Sequence, residues 1–343
     1  MTIRAVLWEK DAASEGGVLC RACAHGCRIR DGAAGRCRVR VNKGGVLYSL
    51  SSGQVVACNL DPVEKKPLYH FLPGTTTLSF GTPGCNMTCA FCQNHALSQG
   101  NLPQPKGTAE ALPDTLVSQT VASAIDAGAA SVSFTYNEPC VSPELILAVA
   151  PRARDAGLAT ILVSNAYAGP ASMDALRDCV RAANFDLKSF SDDFYATLCG
   201  ARLAPVLRTI AQAVAFGWWV EITTLLIPGH NDSDAELKAI ATFIKENLGA
   251  HVPWHVSRFR PMFRMPDVSP TPVASLERAC AIGTAEGLHF VYAGNVPGHD
   301  AENTRCPACG AVALRRVGYL ADTGFDGACP SCGQSIPGVW RTE

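Results

Sequence analysis

From about residue 75 to about residue 300 the chain alternates short apolar runs with longer amphipathic stretches, and nothing else in it restricts the fold as much. Repeats of this kind build a parallel sheet with helices packed on it, because each helix carries the chain back to begin the next strand in the same direction. Strands are expected in TTLSFG from Thr76, ASVSFT from Ala130, ATILV from Ala159, NFDLK from Asn184, WVEITTLLI from Trp219, WHVSRF from Trp254 and HFVYAG from His289. Pro113-Asp114, Ser142-Pro143-Glu144 and Asp232-Ser233-Asp234 carry helix-start chemistry, and Gly128, Gly157 and Gly249 stand where those helices should stop.

The unusual polar residues gather where these strands end. TYNEP follows the second, SNAY the third, Asp186-Leu187-Lys188 closes the fourth, and a cysteine loop follows the first. In a parallel barrel the carboxyl ends of the strands build the functional face, so residues distant in sequence would meet there. The expected fold is therefore α/β, a partial (βα) barrel over residues 71–300. It is flanked by an N-terminal Cys-rich module, residues 1–70, and a C-terminal zinc-ribbon-like module, residues 301–343.

Sixteen cysteines exceed what packing needs, and a reducing compartment discourages disulfides, so clustered cysteines read as metal sites. Eleven fall into three groups. Cys85, Cys89 and Cys92, in GTPGCNMTCAFCQN, have CxxxCxxC spacing. Three thiolates on one loop hold three irons of a [4Fe–4S] cluster and leave the fourth iron open, whereas full ligation takes four. A zinc knuckle is the alternative, although zinc favours paired CxxC spacings. Cys306 and Cys309 with Cys329 and Cys332 form two CPxCG knuckles spaced as in a structural zinc ribbon, with rubredoxin-like iron as the alternative. Cys20, Cys23, Cys27 and Cys37 fit neither a symmetric ribbon nor a ferredoxin run. They suit zinc or an auxiliary four-iron cluster, with His25 able to replace one thiolate in a zinc site and no metal as the remaining reading. Cys58, Cys140, Cys179, Cys199 and Cys280 stand singly and read as small buried apolar residues, Cys140 lying beside TYNEP.

An open iron calls for a chelating ligand, and the amine and carboxylate of S-adenosylmethionine meet that need. Glu138 suits the amine and Lys188 the carboxylate, while Ser164, Asn165 and Asp186 suit the ribose hydroxyls or the positioning of their neighbours. Each also has a plain reading as a capping or salt-bridging residue at a strand end. Phe91 would set an aromatic face beside the cluster for the adenine. Lys plus Arg number 29 against 30 acidic residues, a net charge of −1, so no electrostatic footprint argues for nucleic acid or an anionic membrane surface. No run of about 18 apolar residues and no apolar signal stretch appears, and the expected location is cytoplasmic.

Taken together, DPVEKKPLYHFLPG, GCNMTCAFCQN, TYNEP, SNAY, FDLKSF, PWHVSRF, VYAGNVPG and the cysteine groups at both ends resemble the radical SAM superfamily. The resemblance is narrower to its AmmeMemoRadiSam branch, a relative of pyruvate formate-lyase activating enzyme. It implies a radical SAM barrel in which Cys85, Cys89 and Cys92 ligate the cluster and Phe91 is the aromatic residue of the signature. Asn137-Glu138-Pro139 would be the counterpart of the Gly-Gly-Glu-Pro segment that holds the methionine amine, with Tyr136 and Asn137 in place of the glycines. Asp186 and Lys188 match the Asp-x-Lys pattern of glycyl-radical activases. The implied activity is reductive cleavage of S-adenosylmethionine to a 5′-deoxyadenosyl radical that abstracts hydrogen from a substrate. Activation of a glycyl-radical protein partner is the second reading, and an iron–sulfur electron-transfer or binding protein a distant third. The implied partners are a flavodoxin or ferredoxin as reductant and, through the branch name, AMMECR1-like and Memo-like proteins.

Overall fold

The computed structural model describes residues 1–102 and 107–342. Each of the seven runs expected as strands overlaps one: Thr76–Gly81, Ser131–Phe134, Ala159–Ser164, Ala182–Asp186, Trp219–Leu226, Trp254–Arg258 and Val291–Gly294, the fourth beginning two residues before the expected Asn184. They lie in one sheet in the order of the chain, every neighbouring pair parallel, with Val132 opposite Leu78 and Ile161 opposite Ala182. An eighth strand, Ala57–Pro62, adds antiparallel to the Thr76–Gly81 edge. A boundary at residue 70 puts this stretch in the N-terminal module, whereas the strand is a member of the main sheet.

Helices connect the strands and cover one face of the sheet. Asp114–Asp126, Pro143–Asp155 and Asp234–Phe243 begin at the expected signals. Pro143 takes the first helical turn, where its missing N–H costs nothing. Ser233 accepts from the Glu236 backbone N–H as an N-cap. Gly128 and Gly157, at φ +65° and +76°, take the left-handed turn that ends their helices. Leu203–Ala215 shows the amphipathic pattern most plainly, burying Leu203, Val206, Ile210 and Ala213 at three- and four-residue steps.

The opposite face is closed near the strand starts by the chain itself. Val63, Leu68, Phe71 and Leu72 pack on Ile161 and Ala182, joined by Val339 from the tail. Leu72 N–H donates to Val339 O at 2.7 Å, and Val339 N–H to His70 O at 2.7 Å, so the tail pairs with this segment. Above this layer Glu221 is fully buried and accepts hydrogen bonds from Tyr69 N, His70 N and His255 Nε2 at 2.9, 2.8 and 2.7 Å. Three short strands, Trp8–Lys10, Val18–Cys20 and Arg28–Ile29, make one sheet of the N-terminal region. Thr2–Arg4, Arg40–Lys43 and Val46–Ser49 belong to a second, in which the Gly44-Gly45 turn forms a hairpin. Among the described residues no helix is long and apolar enough to cross a membrane.

Candidate active site

The strand ends expected to carry chemistry do meet. Glu138, which caps the short helical turn Pro139–Val141, is buried. Its carboxylate accepts from Cys140 N (2.9 Å), Ser164 Oγ (2.9 and 3.1 Å) and Asn165 N (2.8 Å). The end of Ser131–Phe134 is thereby tied to the end of Ala159–Ser164. Burial raises the Glu138 carboxyl above its ordinary range, opposed by the N–H donors of Cys140 and Asn165. Asn165 Nδ2 donates to Asn86 Oδ1 at 2.9 Å and approaches Cys85 Sγ at 3.7 Å, which carries the connection into the cysteine loop.

Asn137 performs the same service from the other side. Its side-chain oxygen accepts from Thr82 N at 3.1 Å and its amide donates to Thr82 Oγ1 and to Gly84 O at 3.1 and 2.8 Å, gripping the loop just before Cys85. Tyr136 has φ +71°, a conformation that glycine adopts freely and a tyrosine does not. Its hydroxyl donates to Asp61 Oδ2 at 2.6 Å, and Lys66 Nζ lies 4.7 Å from its ring centroid while pairing with the same oxygen at 2.7 Å. The strained backbone is therefore held by a buried anchor on the edge strand.

Within the loop Cys89 is buried and Cys85 and Cys92 are half-buried. Met87 N–H points at Cys85 Sγ at 3.4 Å, and Cys92 Sγ lies 3.2 Å from Ser98 Oγ. Burial and then the Glu138 charge push the Cys85 thiol up. A sulfur hydrogen bond from Cys199, against burial, and the nearby Lys188 ammonium hold Cys89 down. Lys188 pairs with Asp186 Oδ2 at 2.8 Å and stands 5.8 Å from the Phe91 ring centroid. Burial would lower its pKa, but Asp186 and the thiols Cys89 and Cys199 outweigh burial and raise it well above the usual lysine value. Phe91 itself is buried, its ring against Phe194 at 5.8 Å between centroids. The site thus gathers Cys85, Cys89, Cys92, Phe91, Asn137, Glu138, Ser164, Asn165, Asp186 and Lys188.

Several contributors carried no sequence signal strong enough to single them out. Asn86, Asn94 and Ser98 lie in or just after the loop, and Asn94 Nδ2 donates to Tyr136 O at 2.7 Å. Cys199, expected to be a plain core thiol, lies against Cys89, and Thr88 N–H donates to its carbonyl at 2.9 Å. Cys140 lies at the site, buried beside Glu138.

The C-terminal knuckles form a separate centre. Cys306 Sγ lies 3.7 Å from Cys332 Sγ and Cys309 Sγ 3.7 Å from Cys329 Sγ, and all four sulfurs fall within 4.8 Å of one another. The two turns are built alike: Gly310 N–H donates to Cys306 O and Gly333 N–H to Cys329 O, at 2.9 and 2.8 Å. This four-thiol group is built to bind a metal ion. Among the described residues it is the one group so compact, and the loop thiols Cys85, Cys89 and Cys92 are spread more widely.

Known proteins place the chain in a class. Residues 80–241 match the family model of the radical SAM superfamily. An uncharacterized protein of Methanocaldococcus jannaschii is 39% identical over 326 residues, covering 93% of this chain and 95% of the relative. The isethionate sulfite-lyase activating enzyme of Oleidesulfovibrio alaskensis is 27% identical over 118 residues, 34% of this chain and 38% of that protein. A radical SAM methyltransferase from Sphaerobacter thermophilus superposes with a TM-score of 0.48 at 19% identity, covering 68% of this chain and 71% of that one. The chain carries a radical SAM superfamily domain over residues 80–241, and over nearly its whole length it belongs to the same family as the Methanocaldococcus protein.

Proposed function

We propose that the protein is a radical SAM enzyme of the AmmeMemoRadiSam branch, with Cys85, Cys89 and Cys92 holding a [4Fe–4S] cluster. The observation that carries the reading is the shape of the loop: three thiols too widely spaced for one ion, cradled by Met87 N and Asn165 Nδ2, on the strand-end face that also gathers Glu138 and Lys188. When bound, such a cluster with one iron free of protein ligands supplies the electron that cleaves S-adenosylmethionine to methionine and a 5′-deoxyadenosyl radical.

The chain's own residues hold and orient. Glu138 locks two strand ends together and offers the negative charge toward which a methionine amine is drawn. Lys188, steadied by Asp186, offers the positive charge for the carboxylate. Ser164 and Asn165 keep the Glu138 carboxylate and the Cys85 loop in register and supply the polar groups nearest a ribose. Seven parallel strands in chain order, with no reversal, favour a sheet curled into a partial barrel around this face. The compact C-terminal four-thiol group suits zinc in a structural ribbon, since four thiolates leave no open position. The division into an N-terminal module, a core and a tail from residue 301 remains part of this proposal, with Ala57–Pro62 counted in the core sheet, as do a flavodoxin or ferredoxin as electron donor, AMMECR1-like and Memo-like partners, and a reducing, cytoplasmic setting.

A second reading, installation of a glycyl radical on a protein partner, is favoured by one specific observation. A stretch of 118 residues is similar to a protein whose name states that it activates another enzyme, isethionate sulfite-lyase. The test common to both is direct. Anaerobically reconstituted protein with dithionite and S-adenosylmethionine should release 5′-deoxyadenosine and methionine, and Cys85→Ala should abolish both. Release by a variant lacking all three loop thiols, above a no-enzyme control, sinks the assignment.

A further inference from the structure

We propose that Cys20, Cys23, Cys27 and Cys37 hold a second cluster of the four-iron class, seated one layer of side chains from Cys85. The four thiols converge because their backbone is folded back on itself. Val18–Cys20 pairs with Arg28–Ile29, Cys20 N–H donates to Cys27 O at 2.9 Å, and Gly26 N–H closes a turn on Cys23 O at 3.2 Å. The following loop crosses over this turn: a Cβ on Gly35 would lie 3.6 Å from Cys27 Sγ. Cys20 and Cys37 are buried, and Cys23 and Cys27 half-buried.

Spacing decides which metal. A single tetrahedral zinc with bonds of about 2.3 Å draws its sulfurs to within about 3.8 Å of one another. The C-terminal thiols show that spacing, at 3.7 Å. The N-terminal four do not: among the described residues no three of them lie within 4.8 Å of each other, and they share this wider spread with Cys85, Cys89 and Cys92. A cubane sets its cysteine sulfurs farther apart than one ion does, so the wide group is shaped for a cluster and the tight group for an ion. His25 is not a substitute ligand. Its Nε2 is occupied by Asn86 O at 2.7 Å, and four thiols complete a cluster's ligand set without it.

The position relative to the loop follows from four contacts. A Cβ on Gly84 would meet Cys37 O at 3.1 Å, and His25 reaches Asn86, the residue after Cys85. Cys23 bridges to Ala168, and Ala24 N–H donates to Tyr167 O at 3.1 Å, the same carbonyl that accepts from Asn86 Nδ2 at 3.2 Å. A cluster held by four thiolates has no open iron, so this site suits electron exchange and not ligand binding.

The test uses the full chain. The triple variant Cys85→Ala, Cys89→Ala, Cys92→Ala, reconstituted anaerobically with iron and sulfide, should retain about four irons and four sulfides per chain. It should also give a paramagnetic resonance signal after dithionite and contain one zinc. Iron-free protein with two zincs, or with one zinc and an empty N-terminal group, overturns the proposal. Should the central assignment be the faulty one, the triple variant will hold as much iron as wild type, which separates the two failures. If the triple variant does not fold, wild type decides. About eight irons to one zinc upholds the second cluster, and about four irons to two zincs refutes it.

Discussion

Gly84→Ala should damage the cysteine loop through one added methyl group. Gly84 precedes Cys85 at φ +90°, and a Cβ there would stand 2.6 Å from Val39 Cγ1, 3.0 Å from Val39 Cγ2 and 3.1 Å from Cys37 O. The residue has no room to slide, because its N–H donates to Leu97 O at 3.0 Å and its carbonyl accepts from Asn137 at 2.8 Å. Val39 cannot swing aside: it is fully buried, and its β-branch stiffens χ1. Two costs follow. A side chain in a sparsely populated φ region costs about 1–3 kcal/mol, and overpacking a tight contact about 1–3 kcal/mol, for about 2–6 kcal/mol together. That is a large part of the roughly 5–15 kcal/mol by which a domain is stable.

The assay is anaerobic denaturant unfolding with iron analysis of the folded fraction. Gly84→Ala should unfold at lower denaturant and retain less iron. Val39→Ala alone should destabilise through a cavity, while Gly84→Ala with Val39→Ala should cost less than the sum, by up to the ~1–3 kcal/mol of the steric part. The backbone part should persist in the double variant. Wild-type stability and iron content in Gly84→Ala, or strict additivity in the cycle, would refute the argument that the N-terminal region presses on the loop at this point.

Two further outcomes follow from the buried charges and thiols. Burial pushes the Asp61 carboxyl up, but hydrogen bonds from Lys65, Lys66 and Tyr136 outweigh it and hold the group well below the usual carboxylate range. A depressed folded-state pKa adds stability that is complete above the unfolded value, about 4, and fades as pH falls below it. Asp61→Asn should therefore cost stability at pH 7, toward the lower end of the ~3–5 kcal/mol for a broken buried pair because Lys65 stays in reach of water. The deficit should shrink between pH 4 and pH 2; a constant deficit in acid unfolding would remove the electrostatic account. Cys309→Ser with Cys332→Ser, at the two exposed thiols of the tail, should lower the melting temperature and remove one zinc while iron stays, and loss of iron instead would make the tail an iron site.

What the sequence reveals here is decided by how local each signal is. The seven parallel strands are legible because strands buried on both faces read as continuous apolar runs. The edge strand Ala57–Pro62 is not, since three of its six residues are exposed and it ends in proline, leaving neither alternation nor an apolar run. Leu203–Ala215 carries no capping side chain, so its start has no local mark although its apolar stripe is clear. The same divide runs through the site. Cysteine spacing and TYNEP are local and visible, whereas Cys199 reaches Cys89 only through the fold. Tyr136 is the other case of a feature set by distant residues. Its positive φ is one that glycine would take freely, and Asp61 and Lys66, some seventy residues earlier, hold it.

Buried charges recur wherever an appended segment meets the core. Arg40 and Glu144 pair at 2.9 Å with almost no exposure, and the same carboxylate takes Val6 N and Ser52 Oγ at 2.8 and 2.6 Å, fastening the N-terminal region to the helix after TYNEP. Asp61 with Lys66 and Tyr136 fastens the edge strand to TYNEP itself. Arg316 lies 4.3 Å from the Tyr69 ring centroid, donates to Tyr69 O at 2.5 Å and reaches Thr304 Oγ1 at 2.7 Å, which bonds Tyr292 and through it His70, fastening the tail to the layer beneath the sheet. A buried ion pair adds little net stability over apolar residues of the same volume, because desolvation offsets the attraction. Its value lies in geometry, since a displaced partner leaves a bare charge in a low-dielectric interior while an apolar contact tolerates sliding. Two of these fastenings bear directly on the segment that grips Cys85. The N-terminal cysteines and the edge strand are thereby held in one register with the cysteine loop.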